Sequence, residues 1–437
     1  MSAQPLEVGV IGGGALGLSA ADRLAGAGAR VTVLERENVV GGLAASFPVG
    51  GGHLEKFYHH LFRSDRTITS LIHELGLGDR LIWKQAKTAN LVGGKICQMD
   101  PVRLLTFSAL PASDRLRFFL GMAYLKLQPN FRQFEGQTAV EWVEKWMGKR
   151  TYEVVWQPLL EAKFGEHYRA IAMPWLWSRV HCRSLALGYL RGGFHQLYRA
   201  LDERVKSRGG TVLTGQAVEK IEAAAGGRVR VVVGGAAREF DRVICTLPTR
   251  LFMKVTVGLP ETYRSQYDWG DFQGAHCVVL SLDRPLGDFY WLSVNDPGFP
   301  FLVAVDHGNF MPVEDYGGQR LMYLGNYLPI SDRRFTMSDH ELLGWYLPYL
   351  AKVNPAFDRS WVTDSWVFKA PFAQPIVTVD YHRHIPPHET PIPGLFLANM
   401  FQVYPQDRGQ NYSIEMAYRV ADLALKAPLA PEVGVGR

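Results

Sequence analysis

Hydrophobic and polar residues follow their clearest pattern in the first forty positions. The short apolar run VGVI (8–11) predicts a buried strand, and RVTVLE (30–35) predicts a second one. Between them, SAADRLAGAG (19–28) places Ala and Leu on one face of a predicted helix that ends at Gly28. A glycine-rich turn joins the first strand to this helix. The pattern therefore predicts a strand–helix–strand unit in a parallel sheet, which is typical of an α/β fold.

The glycine-rich turn has the spacing of a phosphate-binding loop. Gly12, Gly14 and Gly17 follow the pattern G-x-G-x-x-G, which allows a tight turn, close approach of a pyrophosphate and close helix packing. Free N–H groups at the helix start attract phosphates. Glu35 ends the second strand, where a carboxylate accepts hydrogen bonds from a ribose diol. The unit predicts dinucleotide binding, and the predicted site also includes Ala15, Leu16 and Arg36.

A second strand–loop–helix pattern lies near the C-terminus. GLFLAN (394–399) predicts a strand, and SIEMAYRVADLAL (413–425) predicts a helix with apolar residues at helical spacing. The loop between them, MFQVYPQDRGQN (400–411), is too polar for a core. Because such a unit points the N–H groups of the helix start at a ligand, we expect this loop to face a bound molecule.

Gly41 and Gly42 extend the N-terminal motif, six residues after Glu35, in the segment RENVVGGLAAS (36–46). A domain for a nicotinamide cofactor has no use for a second glycine turn here. The extended motif resembles the FAD fingerprint of the flavin-containing amine oxidase superfamily. This superfamily includes protoporphyrinogen oxidases, phytoene desaturases and, more distantly, UDP-galactopyranose mutases and GDP-dissociation inhibitors. The resemblance implies FAD as the cofactor.

The resemblance also implies a fold and a division of the chain. The expected fold is α/β, with a Rossmann-like FAD-binding domain of the glutathione-reductase type interleaved with an α+β substrate domain. The FAD-binding domain is expected at 1–75, 191–255 and 390–430. The substrate domain is expected to have a helical part at 76–190 and a sheet part at 256–389, where strand-like alternation returns.

Matched by position, the resemblance assigns further residues to the cofactor. Leu43 and the two glycines before it are expected near the flavin ring, and the backbone of Val218 near the adenine. Where the family holds the ribityl chain with an acidic residue, either Asn399 or Asp407 takes that place. The start of the last helix is expected beneath the pyrimidine end of the ring, with Asn411, Tyr412, Ser413 and Ile414.

Three residues are candidates for catalysis. By a loose alignment, His276 stands where amine oxidases carry a lysine that bridges through water to the flavin, and this departure counts against amine oxidation. A histidine can exchange protons near neutral pH, although a packed core histidine is the favoured alternative. Arg408 and Tyr412 resemble an Arg and a Tyr that UDP-galactopyranose mutases carry beside their flavin.

Composition and charge narrow the partners. The net charge of +5 over 437 residues is too small and scattered to indicate nucleic acid. Four well-separated cysteines without a CxxC pair predict neither a disulfide framework nor a metal site. We detect no signal peptide or membrane span and therefore expect a cytoplasmic protein. The basic and aromatic stretch SALPASDRLRFFLGMAYLKLQ (108–128) is interpreted as a core-facing helix with a basic outer face, and the alternative is peripheral membrane contact.

The segment HLEKFYHHLFR (53–63) mixes three histidines with aromatic and basic residues and fits no metal-ligand pattern. We interpret it as the solvated start of the helix that follows. The alternative is a segment that recognises a substrate or an anion near the flavin ring.

The resemblance implies an FAD-dependent oxidoreductase of the oxidase or desaturase type, in which flavin N5 accepts a hydride from a substrate C–H bond. Because 12% of the residues are aromatic, we expect an apolar or planar small-molecule substrate, and the electron acceptor stays open. The alternative is a non-redox flavoenzyme of the UDP-galactopyranose mutase type, in which Arg63 or Arg408 holds a diphosphate. A third hypothesis is a binding protein without flavin, like the GDP-dissociation inhibitors.

Overall fold

A parallel five-stranded sheet forms the base of the first domain. The computed structural model describes residues 4–98 and 110–428, and the sheet within them has the order β10–β2–β1–β14–β20. Its strands come from three separate stretches of chain: β1 (Glu7–Ile11), β2 (Arg30–Leu34), β10 (Thr211–Leu213), β14 (Arg242–Cys245) and β20 (Leu395–Leu397). The predicted FAD-binding segments 1–75, 191–255 and 390–430 thus each supply at least one strand.

Helices cover this sheet, so its strands are buried and apolar, as parallel strands usually are. Helix α1 (Ala15–Gly26) packs against both α8 (His195–Ser207) and the last helix, α12 (Gln410–Lys426). The buried cluster between them includes Val10, Leu24 and Val420. The α/β fold expected from the sequence is therefore confirmed.

A larger mixed sheet forms the second domain. Among the described residues its order is β19–β15–β18–β17–β16–β7–β8. Helix α11 (Asp339–Val353) packs on one face, which buries a cluster that includes Val278, Leu280 and Tyr346. The strands are β7 (Thr88–Val92), β8 (Lys95–Gln98), β15 (Phe272–Leu282), β16 (Trp291–Val294), β17 (Val303–Asp306), β18 (Arg320–Leu328) and β19 (Val362–Pro375).

The helical region expected over 76–190 is wrong at both ends. Strands β6 (Leu81–Gln85) and β9 (Ala186–Leu190) pair with each other, and β9 also pairs with β5 (Leu61–Phe62). Strands β7 and β8 form a hairpin at the edge of the large sheet, closed by Gly93 and Gly94 with φ of +58° and +71°. Two central turn residues with positive φ suit a two-residue hairpin, so this glycine pair was a usable strand signal.

Helices do fill the middle of that region. They are α3 (Ala112–Leu127), α4 (Ala139–Met147), α5 (Lys149–Thr151), α6 (Gln157–Phe164) and α7 (Met173–His181), with a π-helical turn over Tyr152–Trp156. Aromatic side chains fill the core between them, including Trp142, Phe164 and Trp175. Thr138 begins α4 with a capping box, in which its hydroxyl accepts from the Glu141 N–H.

Shorter elements complete the chain. The hairpin β3 (Ser46–Val49) and β4 (Gly52–Glu55) follows the N-terminal unit, and α2 (Arg66–Glu74) packs against α12. A small antiparallel sheet lies next to the parallel one, with β11 (Val218–Ala223), β12 (Val229–Val233) and β13 (Ala236–Phe240). Two further helices follow, α9 (Thr249–Val255) and α10 (Glu261–Tyr267).

Helix α3 carries most of the stretch for which membrane contact is the alternative; the first two residues of that stretch, 108 and 109, lie outside the described residues. Leu116, Leu120 and Leu127 are 62%, 61% and 79% exposed. The basic side chains are used differently than expected, because Arg117 donates to carbonyls at the end of α4 and Lys126 to carbonyls at the end of α7. Within residues 4–98 and 110–428, no helix has the length and hydropathy needed to cross a membrane. Peripheral membrane contact stays a prediction.

Candidate active site

The glycine loop after β1 forms a cradle in front of α1. Gly12 has φ of +103°, and a Cβ there would overlap the Thr246 hydroxyl, while a Cβ on Gly17 would overlap the Gly12 carbonyl. Gly14 precedes α1, and no side chain of a described residue caps the N–H groups of the first helical turn, which begins with Ala15 and Leu16. These groups are therefore free to meet an anionic ligand.

Glu35 lies at the end of β2, beside this loop, and is only 8% exposed. Its carboxylate accepts hydrogen bonds from the Gly13 N–H at 2.5 Å and the Glu37 N–H at 2.7 Å. A buried carboxylate held in this way is well placed to accept from a ribose diol. Arg36 differs, because its exposed side chain pairs with Glu37 at 2.8 Å. The side-chain contacts of Arg36 give no support to its assignment to the cofactor site.

A second glycine turn packs directly against the first. The Gly41 N–H donates to the Gly13 carbonyl at 2.9 Å, and Gly41 and Gly42 have φ of +117° and +57°. Leu43 follows them and lines the large cavity described below. Val218 begins β11, two residues after Gln216, whose N–H donates to the Glu35 carbonyl at 2.7 Å. The adenine contact assigned to Val218 stays a prediction.

Asn399 is buried at the end of β20, and its side chain is hydrogen-bonded within the protein. Its amide donates to the Leu247 carbonyl at 2.8 Å and lies 3.3 Å from the Thr249 hydroxyl, while its oxygen accepts from the Phe401 N–H at 2.9 Å. These bonds join the ends of β20 and β14. The Asn399 side chain thus makes three of its four possible hydrogen bonds within the protein, and its assignment to the ribityl chain stays a prediction.

The first turn of α12 borders a cavity, as expected for the C-terminal loop. Gly409 precedes the helix with φ of +153°, and no described side chain caps it. Tyr412 faces the cavity near Cys182, and burial raises the pKa of this tyrosine. The other side chains here are occupied or buried: the Asn411 oxygen accepts from the Ile68 N–H at 3.1 Å, Ser413 continues the helical bonding from Gly409, and Ile414 is in the core.

A large cavity lies where the two domains meet. Leu43 and Gly409 border it from the first domain, and Ala275, Cys277 and Tyr327 border it from β15 and β18. The segment after β4 contributes Phe57, Tyr58, His59 and His60. This segment, interpreted as the solvated start of a helix, instead lines the cavity; α2 begins only at Arg66. Burial and nearby arginines lower the pKa of His59 to about 4 and of His60 to about 3, so both rings are neutral.

A charged cluster closes one end of the cavity. The Asp407 carboxylate accepts from Arg179 at 2.6 Å, from Lys163 at 3.0 Å and from Gln374 at 3.0 Å. Burial alone would raise the pKa of Asp407, but the surrounding cations hold it well below its ordinary value. Burial also lowers the pKa of Lys163 to about 7, with Asp407 opposing that shift. Asp407 is therefore an ionised carboxylate within a cationic cluster, with three of its roughly four acceptor positions used within the protein, and its assignment to the ribityl chain stays a prediction.

Arg408 lies next to this cluster and faces the same cavity. Its guanidinium donates to the Gln374 side-chain oxygen at 3.1 Å and to the Tyr327 hydroxyl, and it stacks 4.8 Å from the centre of the Tyr327 ring. Sequence reasoning singled out Arg408 but missed Lys163, Arg179 and Tyr327. The available signal was a single cation within each of two aromatic-rich helical runs, PLLEAKF (158–164) and WLWSRVH (175–181).

His276 lies on β15 and is among the residues that border the cavity, but its ring packs toward α11. The ring contacts Phe335 and Tyr346, with centroid distances of 6.1 Å and 6.0 Å, and its Nε2 has no hydrogen-bond partner among residues 4–98 and 110–428. Burial lowers its pKa to about 4. Side chains alternate along a strand, so the neighbour Cys277 packs on the opposite face. The catalytic role of His276 stays a prediction that these contacts do not favour.

The parallel sheet, its glycine cradle and the cavity at the domain junction define a flavoenzyme of the dinucleotide-binding type. The sequence model of the family described as "Flavin containing amine oxidoreductase" matches residues 17–408. The chain belongs to this family. This membership confirms the resemblance inferred from the sequence, which implied an FAD-dependent oxidoreductase.

Curated relatives match over shorter stretches. The 15-cis-phytoene desaturase of Solanum lycopersicum is 26% identical over 292 residues, which cover 60% of this chain and 49% of that protein. The 15-cis-phytoene desaturase of Arabidopsis thaliana is 40% identical over 84 residues, which cover 19% of this chain and 15% of that protein. The chain thus spans about half the length of the curated relatives it matches, or less.

Solved structures match over nearly the whole chain. A putative protoporphyrinogen oxidase from Exiguobacterium sp. 255-15 has a TM-score of 0.77 at 18% identity, covering 98% of this chain and 100% of that one. A reduced UDP-galactopyranose mutase has a TM-score of 0.76 at 16% identity, covering 98% of both chains. Putrescine oxidase bound to putrescine has a TM-score of 0.67 at 15% identity, covering 97% and 99%. At these identities the likeness establishes the fold alone.

Proposed function

We propose that the protein oxidises a small organic molecule by moving a hydride from a C–H bond to FAD, as oxidases and desaturases do. The observation that carries the proposal is the position of the cavity. It borders the second glycine turn through Leu43 and the uncapped start of α12 through Gly409, and it continues to the aromatic wall of the second domain. A substrate in this cavity would therefore lie beside the cofactor.

The protein residues supply binding, orientation and shelter from water. The Gly12–Gly17 loop and the start of α1 would hold the pyrophosphate, and Glu35 the adenosine ribose. FAD supplies the hydride acceptor when bound. The first turn of α12 offers N–H groups to the ring, and Tyr58 and Tyr327 narrow the cavity in front of it. These features make a cofactor site and a substrate site that share one wall.

One specific observation favours a second candidate, a non-redox rearrangement of a sugar nucleotide. Lys163, Arg179 and Arg408 line the cavity, and arginines bind diphosphates well because their forked donors match phosphate oxygens. This candidate requires tight binding of a UDP-sugar to the reduced protein in particular. Hydride transfer requires no such preference.

The proposal is tested by anaerobic mixing of the FAD-loaded protein with organic acids, polyenes, porphyrinogens and aromatic amines. We expect at least one C–H donor to bleach the absorbance of the oxidised flavin faster than it bleaches free FAD at the same concentration. Oxygen and a quinone, added afterwards in separate samples, identify the electron acceptor. Failure of every donor, together with UDP-sugar binding only after reduction, would replace hydride transfer with the rearrangement.

Replacing Glu35 with glutamine should weaken FAD binding about tenfold or more, because the amide loses the charge that accepts from the ribose diol. The amide oxygen can still accept from Gly13 N–H, so the loop should keep its shape. Titration of the apo-protein with FAD measures the effect. Glu37→Gln is the matched control, since this exposed residue pairs with Arg36 and should leave the affinity unchanged. Equal FAD affinities of the two variants would remove Glu35 from the site.

A further inference from the structure

We propose that the substrate is an organic anion, whose carboxylate or phosphate is bound by Arg183 and Arg408 at the cationic end of the cavity. The proposal rests on the proposed function to the extent that it takes this cavity as the substrate site. It revises the apolar substrate expected from composition to a molecule with an apolar body and an acidic group.

The charge balance of the cavity wall is the first argument. Among the described residues that line it, Lys163, Arg179, Arg183 and Arg408 have basic side chains. Asp407 is the one residue of this lining with a carboxylate. Asp407 is engaged by Lys163 and Arg179, whose side chains are only 13% and 16% exposed. This carboxylate offsets one of the four positive charges, and its ion pairs go to Lys163 and Arg179 rather than to Arg183 or Arg408.

Arg408 and Arg183 are the cations without an acidic partner. Arg408 donates to neutral oxygens only, those of Gln374 and Tyr327. The Arg183 guanidinium lies 5.9 Å from the Phe62 ring, and no residue within 4–98 and 110–428 accepts a hydrogen bond from it. Arg183 is an exposed residue that also lines the cavity; desolvation and Arg179 lower the pKa of its guanidinium, and the more distant Asp407 opposes that shift. It stays protonated at neutral pH.

Four cations around a single carboxylate repel one another, and binding of an anion would offset that repulsion. The neighbouring histidines do not change the balance. His59 and His60 are neutral because burial lowers the pKa of both rings, and the nearby arginines lower it further. An ammonium substrate would meet the same repulsion. The cavity therefore disfavours a diamine such as the putrescine seen in the structural relative with a TM-score of 0.67.

Aromatic rings line a large part of the same cavity and fit an apolar body. Tyr58 packs edge-on against Trp291 at 5.2 Å between ring centroids, and His60 packs edge-on against the same Trp291 at 5.8 Å. Phe57 and Phe62 are part of the same lining. A cavity lined by both cations and aromatic rings favours the binding of an amphipathic anion over a fully apolar or a fully polar ligand.

The test compares four probes of equal chain length on the oxidised, FAD-loaded protein: decanoate, decyl phosphate, decanol and decylamine. Calorimetry and the shift of the flavin spectrum report binding without turnover. We expect at least one of the two anions to bind about tenfold more tightly than decanol, and decylamine to bind more weakly than decanol. The ratio between decanoate and decyl phosphate distinguishes a carboxylate from a phosphate. Equal binding of decanol or decylamine and both anions would overturn the proposal.

Two variants and one control locate the anion. Arg183→Met and Arg408→Met should each weaken anion binding about tenfold while leaving decanol binding unchanged. Arg199→Met is the control, since Arg199 is 77% exposed on α8 and pairs with Glu203. FAD content and Tm confirm that each variant is folded and loaded. If both cavity variants bind the anions as the parent protein does, the proposal is wrong.

This experiment separates the proposal from the hydride-transfer function. Anion binding without bleaching by any C–H donor would contradict hydride transfer and retain the anion site. Bleaching by an amine, with no preference for the anionic probes, would support hydride transfer and contradict the anion site.

Discussion

Replacing Gly14 with valine should give a folded protein that contains no FAD. Gly14 has φ of −80° and ψ of −172°, a conformation open to any residue, and a Cβ there would be 3.7 Å from the Gly42 Cα, which is an ordinary contact. Neither the backbone conformation nor the added Cβ is therefore strained. The branches of the valine would occupy the space in which the pyrophosphate meets the loop.

Gly17→Ala is the matched comparison, because Gly17 is needed for packing within the protein and Gly14 for space beside the ligand. A Cβ on Gly17 would overlap the Gly12 carbonyl, so even alanine forces α1 away from β1. We expect this variant to lose stability, with a lower Tm of the apo-protein. Gly14→Val should keep the apo Tm and lose FAD. The ratio of flavin absorbance to protein, together with the Tm after FAD removal, separates the two effects. Stoichiometric FAD in Gly14→Val would make the N-terminal assignment wrong.

The cofactor cradle could be predicted from the sequence because its determinants are local. The motif spans only 24 residues and consists of Gly12, Gly14, Gly17 and Glu35. Each of these residues is required by the backbone or by the ligand, and their spacing identifies the motif. The second glycine turn was predictable for the same reason. Its packing against the first loop, through Gly41 and Gly13, is what the fold adds.

The cationic end of the cavity could not be predicted in the same way. Lys163 and Arg179 come from two helices and meet Asp407 more than 220 residues later in the chain. No periodicity in the sequence links these positions. From the sequence of its own helix, each cation would be assigned to a solvated face. Only tertiary packing shows that they turn inward.

The catalytic role predicted for His276 could not be decided from the sequence, for a different reason. The strand was predicted, but its two faces were not distinguished. Because side chains alternate, a shift of one residue moves a side chain from the cavity to the layer against α11. The strand is apolar on both faces, since α11 covers one and the first domain the other, so no polar alternation marks the register.

Replacing Asp407 with asparagine should destabilise the protein by about 3 kcal/mol, because removal of the carboxylate leaves buried basic groups without an ion-pair partner. Asparagine keeps an oxygen to accept from Gln374, but Lys163 and Arg179 lose the carboxylate that compensates them. Urea unfolding of the parent and variant proteins, both saturated with FAD, measures the difference. Glu203→Gln provides the control, since its 61% exposed pair with Arg199 should change stability by less than about 0.5 kcal/mol.

A second substitution and a pH series show whether charge is the cause. In the Asp407→Asn protein, Lys163→Met removes one stranded cation and should restore part of the lost stability, whereas in the parent protein Lys163→Met should destabilise. The pKa of Asp407 is depressed, so its contribution is present above the ordinary carboxyl pKa. It is lost only as the pH falls through the lower value of the folded state, and the gap between parent and Asp407→Asn should narrow there. Additive effects of the two substitutions at neutral pH would mean that Asp407 acts through Arg179 and Gln374, and that Lys163 is independent of it.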